Sequence, residues 1–320
     1  QAIRLIGRAL RDGYRERIKI AASLPVVLIN TAADCDSYVN EQLDRLQTDK
    51  LDFFLLGGLN RDNWPALPQK KILRQLEAAI ADGRLGGTGF SFHDDFQALR
   101  NVLESYDNWA LGRFQYSFMD VDHHPGSGGL KYAADKGLAV VVTEPLKGGR
   151  LTVKIPEAAA KLWAEGPPKR SPVEWGLRWV WNRGEVASVV SDMSTLAQVK
   201  ENITLADSAT ADSLTVPEEL LINRVRDAYR ELRPIPCTAC RGCMPCPLDI
   251  DVPRIFEIYN DAIMYDDIET ARTIYNNERH DINKCNDCGA CAKACGREIP
   301  IPDWLEKARE MLADKPGRKE

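Results

Sequence analysis

Eight of the nine cysteines in this 320-residue chain fall in two tight runs between Cys237 and Cys295. The first run is C-x2-C-x2-C-x2-C (Cys237, Cys240, Cys243, Cys246), followed by Pro247; the second is C-x2-C-x2-C-x3-C (Cys285, Cys288, Cys291, Cys295). Spaced C-x2-C pairs suit tetrahedral zinc. Three thiolates on one C-x2-C-x2-C loop, with a fourth close behind, instead match the corners of a 4Fe-4S cubane, and the fourth cysteine often crosses to a neighbouring cluster. The expected ligand sets are therefore Cys237, Cys240, Cys243 and Cys295 for one cluster, and Cys285, Cys288, Cys291 and Cys246 for the other. A double zinc ribbon is the competing reading. A disulfide scaffold is a third, disfavoured by the size of the chain and its compartment as read below.

Two details depart from the bacterial ferredoxin spacing. The first run has two residues, not three, before its last cysteine, and Gly296 stands where the second run would carry proline. Both bear on which fourth cysteine serves which cluster and leave the set of eight ligands unchanged.

A chain of this length has room for one large and one small domain, and 44 % hydrophobic residues suffice for a sizeable core. The net charge of -5, with Lys and Arg dispersed, argues against a nucleic-acid partner. No run reaches the roughly 18 apolar residues of a membrane span, and no basic-then-apolar export segment is seen. A cytoplasmic location is expected.

The first 200 residues alternate. Apolar runs at 18–24, 51–57, 85–92, 111–118, 138–146 and 186–192 are each followed by a helical pattern, starting near Asp34, Gln69, Asp94, Ser127, Ser171 and Thr195. Near-continuous apolar strands alternating with helices predict a parallel sheet covered by helices. Nothing resembles G-x-G-x-x-G between a strand and a helix, so a barrel of the (β/α)8 type, incomplete at its N-terminus, is preferred to a doubly wound sheet. Pro167-Pro168 marks a long loop after the fifth strand, and Ser171-Pro172-x-Glu174 has the form of a helix start. The expected domains are a barrel at 1–206, a connector and helix at 207–233, and a small helical 4Fe-4S ferredoxin-like domain at 234–320. Within the last, Val252 to Tyr275 reads as two short helices, and a final helix ends near Leu312.

Several segments, in order, carry a resemblance: Leu43-x-Arg45-Leu46-x-Thr48-Asp49 before Leu51-Asp52-Phe53-Phe54-Leu55-Leu56; Gly89-Phe90-Ser91-Phe92-His93-Asp94; Gln115-Tyr116-Ser117; Glu144-Pro145-Leu146-x-Gly148-Gly149; Trp175-x-Leu177-Arg178-Trp179; Ser191-x-Met193-Ser194 with Glu201-Asn202; and the two cysteine runs. Together they resemble the aldo-keto reductase family, in the branch with a C-terminal two-cluster ferredoxin-like module. The resemblance implies a (β/α)8 barrel that binds NADPH and reduces carbonyls through an Asp, Tyr, Lys and His tetrad at early strand ends.

The match fails at the tetrad. The segment expected to hold Asp and Tyr would precede Gln1; Ser23 stands at the Lys position and Gly57 at the His position. A phenol with a pKa near 10 needs a neighbouring cation or imidazole to act as an acid at neutral pH, and Ser and Gly supply neither. No catalytic residue is therefore assigned, and ordinary carbonyl reduction is not expected. The resemblance implies nicotinamide and pyrophosphate contacts at Ser91, Gln115, Glu144, Leu146, Gly148 and Gly149. It implies adenosine contacts at Ser191, Ser194 and Asn202. Each has a plainer alternative: Gly148-Gly149 as a turn, Ser194-Thr195 as a helix cap. His93 could face the site, while His123 and His124 read as loop residues. Cys35 reads as a small buried hydrophobe, and Trp175 and Trp179 as one core face.

A nicotinamide moves two electrons and each 4Fe-4S cluster one, so coupling them calls for a splitter such as a flavin. A barrel mouth emptied at Gly57-Gly58 has room for a larger ring. The leading expectation is an electron-transfer protein with two 4Fe-4S clusters and a redox protein partner, its barrel a scaffold or a modified site for NADP(H) or a flavin. The alternatives are an active NADPH- or flavin-linked oxidoreductase on a carbonyl-type substrate and a structural or regulatory subunit. An open barrel edge would also call for an oligomer or complex to cover it.

Overall fold

The computed structural model describes residues 2–69, 71–122 and 125–313; His123 and His124 lie outside them. The chain forms two compact units, Gln1–Gly148 with Glu174–Leu214, and Gly149–Val173 with Thr215–Glu320. Among the described residues no helix is long and apolar enough to cross a membrane.

In the first unit, helix α1 (Ala2–Ala9) leads into six strand-helix units: β1 (Ala21–Pro25) with α2 (Ala32–Leu46); β2 (Phe53–Leu59) with α3 (Ala66–Gln69) and α4 (Ile72–Ala81); β3 (Thr88–Phe92) with α5 (Phe96–Glu104); β4 (Trp109–Gln115) with α6 (Gly126–Asp135); β5 (Ala139–Thr143); and β6 (Val186–Val190). All neighbours are parallel, and the strands lie in chain order from β1 to β6, which form the two margins. This is the parallel α/β sheet of a TIM-barrel type, with each strand within a few residues of its expected position. The remaining helices in chain order are α7 (Glu157–Glu165), α8 (Pro172–Trp181), α9 (Leu196–Ser208), α10 (Val216–Arg230), α11 (Val252–Met264), α12 (Ile268–Asn277), α13 (Ala290–Ala294) and α14 (Ile301–Leu312).

Strand register sorts the side chains onto two faces. Leu56, Phe90, Gly112 and Val140 stand in one row, and Phe92, Phe114 and Val142 in the next; all are buried. Phe90 makes edge contacts with Trp109, Phe92 and Phe114 at centroid separations of 4.9, 6.3 and 6.0 Å, and burying each such ring contributes about 2–3 kcal/mol. The opposite face carries the row Ser91, Arg113, Val141, Ser188 and above it Gln115, Thr143, Val190. These residues are only half-buried or exposed.

Local signals set the helix starts. Thr31 and Asp34 form a capping box on α2, Asp95 accepts from Ala98 N at 2.9 Å on α5, and Thr195 and Gln198 form a capping box on α9. Trp175 and Trp179 are buried on one face of α8. In α9, by contrast, no residue is buried, and Leu196 and Ile203 are more than half exposed.

The loop expected around Pro167-Pro168 holds helix α7. Its Glu-Ala-Ala-Ala start is helix-favouring, but the flanking prolines at 156, 167 and 168 mask it in the sequence. It packs within the second unit, where α7 and α10 come together: Leu221 lies against Gly166, and Arg170 pairs with Glu218. Arg150 pairs with Asp261 at 3.4 Å and lies 5.0 Å from the Tyr265 ring centroid. Helices α11, α12 and α14 surround a core of Ile255, Phe256, Tyr259, Tyr275, Leu305 and Leu312, against which six of the eight clustered cysteines are packed.

Candidate functional sites

The two cysteine loops share backbone features around the middle cysteine. In the first, Ala239 and Arg241 flank the middle cysteine with φ of 53° and 58°; in the second, Asp287 and Gly289 occupy the same places with φ of 60° and 69°. Cys240 and Cys288, the middle cysteines, are exposed, and the flanking ones are partly buried. The likeness continues past the fourth cysteine. Asp249 N donates to Cys246 O and Glu298 N to Cys295 O, both at 3.0 Å, with φ of 58° and 53° at the two acidic residues. Ile250-Asp-Val-Pro253 then opens α11 as Ile299-Pro-Ile-Pro302 opens α14. The shared Ile-x-Val/Ile-Pro carries the repeat past the cysteines, and it is the sequence signal of that longer repeat.

Left-handed residues beside right-handed ones turn successive amides to one side, the geometry that cradles anionic sulfur. Ala239 N donates to Cys237 Sγ at 3.4 Å. Backbone bonding from Gly242, then the Thr238 hydroxyl, holds the Cys240 thiol below its ordinary pKa. Burial pushes Cys243 up to about 11, and Cys237, Cys291 and Cys295 add to this. Cys237 is raised by burial, with Cys240 and Cys295 as its cysteine neighbours, and Cys291 by burial, with Cys285 and Cys246 as its own. Cys243, Cys246, Cys285, Cys288 and Cys291 line one cavity of about 220 Å³. Among the described residues no three His, Cys, Asp or Glu side chains converge on a single-ion position; a cubane asks for a wider spread, one thiolate to each iron corner. The donor set, the cavity and the inward amides fit an iron-sulfur cluster.

The entry to the first loop is fixed from α11. Asn260, buried, accepts from Ile235 N at 3.0 Å and donates to Ile235 O at 2.9 Å, satisfying both backbone groups two residues before Cys237. The first turn of α11 is tied to the end of α12 by Arg254, which bonds Glu278 at 2.6 and 2.9 Å and Glu257 at 2.7 Å.

The second site lies at the carboxyl ends of the strands in the first unit. A pocket of about 410 Å³ is lined by Gly58, Ser91, Phe92, His93, Arg113, Gln115, Thr143, Glu144, Val190 and Asp192. Of the residues expected to contact a nucleotide, Ser91, Gln115 and Glu144 line it, and so does His93. Ser91 Oγ accepts from Gly58 N at 2.8 Å. Leu146 is turned against Gly176 of α8. Gly148 and Gly149, with φ of 64° and 90°, make a turn. Ser191 accepts from Asn202 at 3.3 Å, and the backbone of Ser194 bonds Gln198 in the cap of α9. At the rim, Arg61 bonds Asp94 at 2.5 Å and also Asp95, joining the loops after β2 and β3.

Ser23 and Gly57 sit beside each other between β1 and β2. A Cβ at Gly57 would stand 3.0 Å from Ser23 Oγ and 3.2 Å from both Leu24 O and Pro25 Cα. Cys35 is fully buried on α2, and burial, with Asp36 and Asp34 adding to it, pushes its thiol up to about 12. Arg113, Thr143 and Asp192 were passed over in the sequence; an arginine inside an otherwise apolar strand was the available signal.

A parallel α/β sheet with a pocket at its carboxyl ends, followed by a helical module with two cysteine loops, defines an oxidoreductase of barrel type with an iron-sulfur domain. The family model for the aldo/keto reductase family matches residues 1–213, and that for a 4Fe-4S dicluster domain matches residues 236–300. The chain belongs to the aldo/keto reductase family. Among solved structures it is similar to the aldo-keto reductase AKR11C1 from Bacillus halodurans, at 25 % identity and a TM-score of 0.57 over 70 % of this chain and 76 % of that one. It also resembles in fold an aldo-keto reductase from Klebsiella pneumoniae solved in complex with NADPH, at 22 % identity and a TM-score of 0.56 over 70 % of this chain and 75 % of that one. No match was found among curated protein sequences.

Proposed function

We propose that the protein passes single electrons through two 4Fe-4S clusters, and that its barrel-type unit is a modified nucleotide or flavin site that does not reduce carbonyls by the family mechanism. The carrying observation is the pair of matching cysteine loops, with Cys243 and Cys246 of the first sharing a cavity with Cys285, Cys288 and Cys291 of the second. In this reading Cys237, Cys240, Cys243 and Cys295 hold one cluster, and Cys246, Cys285, Cys288 and Cys291 the other. Bound clusters supply one-electron redox chemistry. The chain supplies the amides that face the sulfurs and the apolar floor that limits water.

In the barrel-type unit, Ser23 and Gly57 offer no cation or imidazole, and a side chain at Gly57 would press on Ser23, Leu24 and Pro25. Ser91, Gln115 and Glu144 line a pocket open to a nicotinamide or a flavin ring, with Ser191, Ser194 and Asn202 further along the strand-end face for an adenosine. NADPH in the Klebsiella relative supports the nicotinamide choice. A redox protein partner, a cytoplasmic setting and a further subunit over the β1 and β6 margins complete the proposal. An active oxidoreductase on its own substrate is the second reading, favoured by the strand-end pocket.

An anaerobic titration of purified protein with NADPH, followed at the iron-sulfur absorbance and by EPR with dithionite as control, tests this. Bleaching by dithionite alone is the expected result for an electron-transfer subunit. Bleaching by NADPH moves the conclusion to the second reading and requires a flavin in the extract. Failure of dithionite to develop any cluster EPR signal overturns the proposal.

A further inference from the structure

Arg113 lies in the middle of the half-exposed sheet face, level with Ser91 on β3 and Val141 on β5. Neither neighbour is acidic. The side chain lines the strand-end pocket, and among the described residues none bonds or pairs with its guanidinium. Burial alone pushes its pKa below the ordinary value, the mark of a charge that has lost water and gained no counterion. An arginine so placed costs stability unless something occupies its fork. Gln115, one turn of the pleat further on the same face, adds an amide to the same wall, and the Ser91 hydroxyl, which accepts from Gly58, retains its own proton to donate.

We infer that the strand-end pocket binds a small organic acid, with its carboxylate held by Arg113 and assisted by Gln115 and Ser91. The charge pattern selects a carboxylate over a phosphate. Arg113 is the one permanent cation among the described lining residues, whereas Glu144 and Asp192 stand exposed at the rim. One guanidinium neutralises a monoanion in bidentate fashion. A phosphate of nearly two negative charges would meet two carboxylates with no second cation. The rim acids are instead placed for a hydroxyl or amine on the outward end of the ligand. The inference rests on the reading that this pocket is the ligand site of the barrel-type unit.

The test is calorimetric titration of the holoprotein with pyruvate, benzoate and inorganic phosphate, for wild type, Arg113→Gln and Arg113→Lys. Saturable binding of at least one of the two acids is expected, weakened about tenfold or more by Arg113→Gln and less by Arg113→Lys, which keeps charge without the fork. Independently of any variant, the bound acid is expected to protect Arg113 of the wild type from phenylglyoxal, read by peptide mass. No saturable binding of either acid up to about 10 mM, equal binding by Arg113→Gln, unchanged modification of Arg113, or preference for phosphate overturns the inference. A parallel NADPH titration separates the two readings. NADPH binding without acid binding removes only this inference, and acid binding without NADPH removes only the nucleotide site.

Discussion

Arg254 and Glu278 show how single residues hold the cluster-bearing unit. Burial would raise the Glu278 carboxyl, but bonds from Arg254 and His280 outweigh it and bring the group from 4.5 down to about 2. Its stabilisation is therefore present in full above pH 4.5 and is lost as the pH falls from there toward 2. Glu278→Gln is expected to lower the denaturant midpoint near neutrality, and the gap to wild type is expected to close through that window. A gap that stays constant at acid pH would show the pair to be electrostatically idle. Residue-scale chemistry was partly legible in the sequence: the eight cysteines announced themselves by spacing, and Cys35 by its isolation on an apolar helix face. Arg113 did not, because a single charge in a strand reveals its side only once the register with Ser91 and Val141 is known. Asn260 was equally silent, since its partner, the backbone of Ile235, lies 25 residues away.

At the level of elements, strands and capped helices were readable because their signals are local. Apolar runs bounded by turn residues gave the six strands, and Pro172 and Thr195 mark helix starts that the structure uses. Helix α7 was lost among prolines, and the repeat beyond the cysteines was hidden because Pro247 and Gly296 differ at equivalent places. Two left-handed positions in the cysteine loops permit a paired prediction. Gly289 and Ala239 both adopt left-handed backbone, and a methyl at Gly289 would meet nothing within 4 Å. Gly289→Ala is thus expected to cost about 1 kcal/mol, and Ala239→Gly to recover a similar amount, through backbone conformation alone. Urea midpoints at constant iron content would check both; a loss of iron in Gly289→Ala would instead show that the position touches the cluster.

On the scale of the whole molecule, the order of sheet and cluster module was legible, but the path of the chain between them was not. Composition places a boundary where alternation ends near Asp207, and nothing in it signals that residues 149–173 leave the sheet to join α10. The chain passes between units three times, at 148/149, 173/174 and 214/215. No single scission can therefore part them. A protease nick in the exposed stretch around Asp212 and Ser213 is expected to leave both fragments together in size exclusion under native conditions, because α7 stays covalently bound to the sheet fragment while packed on α10; separation of the fragments would refute this. During synthesis the same path makes α7 wait, already made but without its partner, until α8, β6 and α9 have been added and α10 emerges. The two units are thus interlaced rather than strung in series, and a gene cut at the apparent domain boundary would yield neither of them whole.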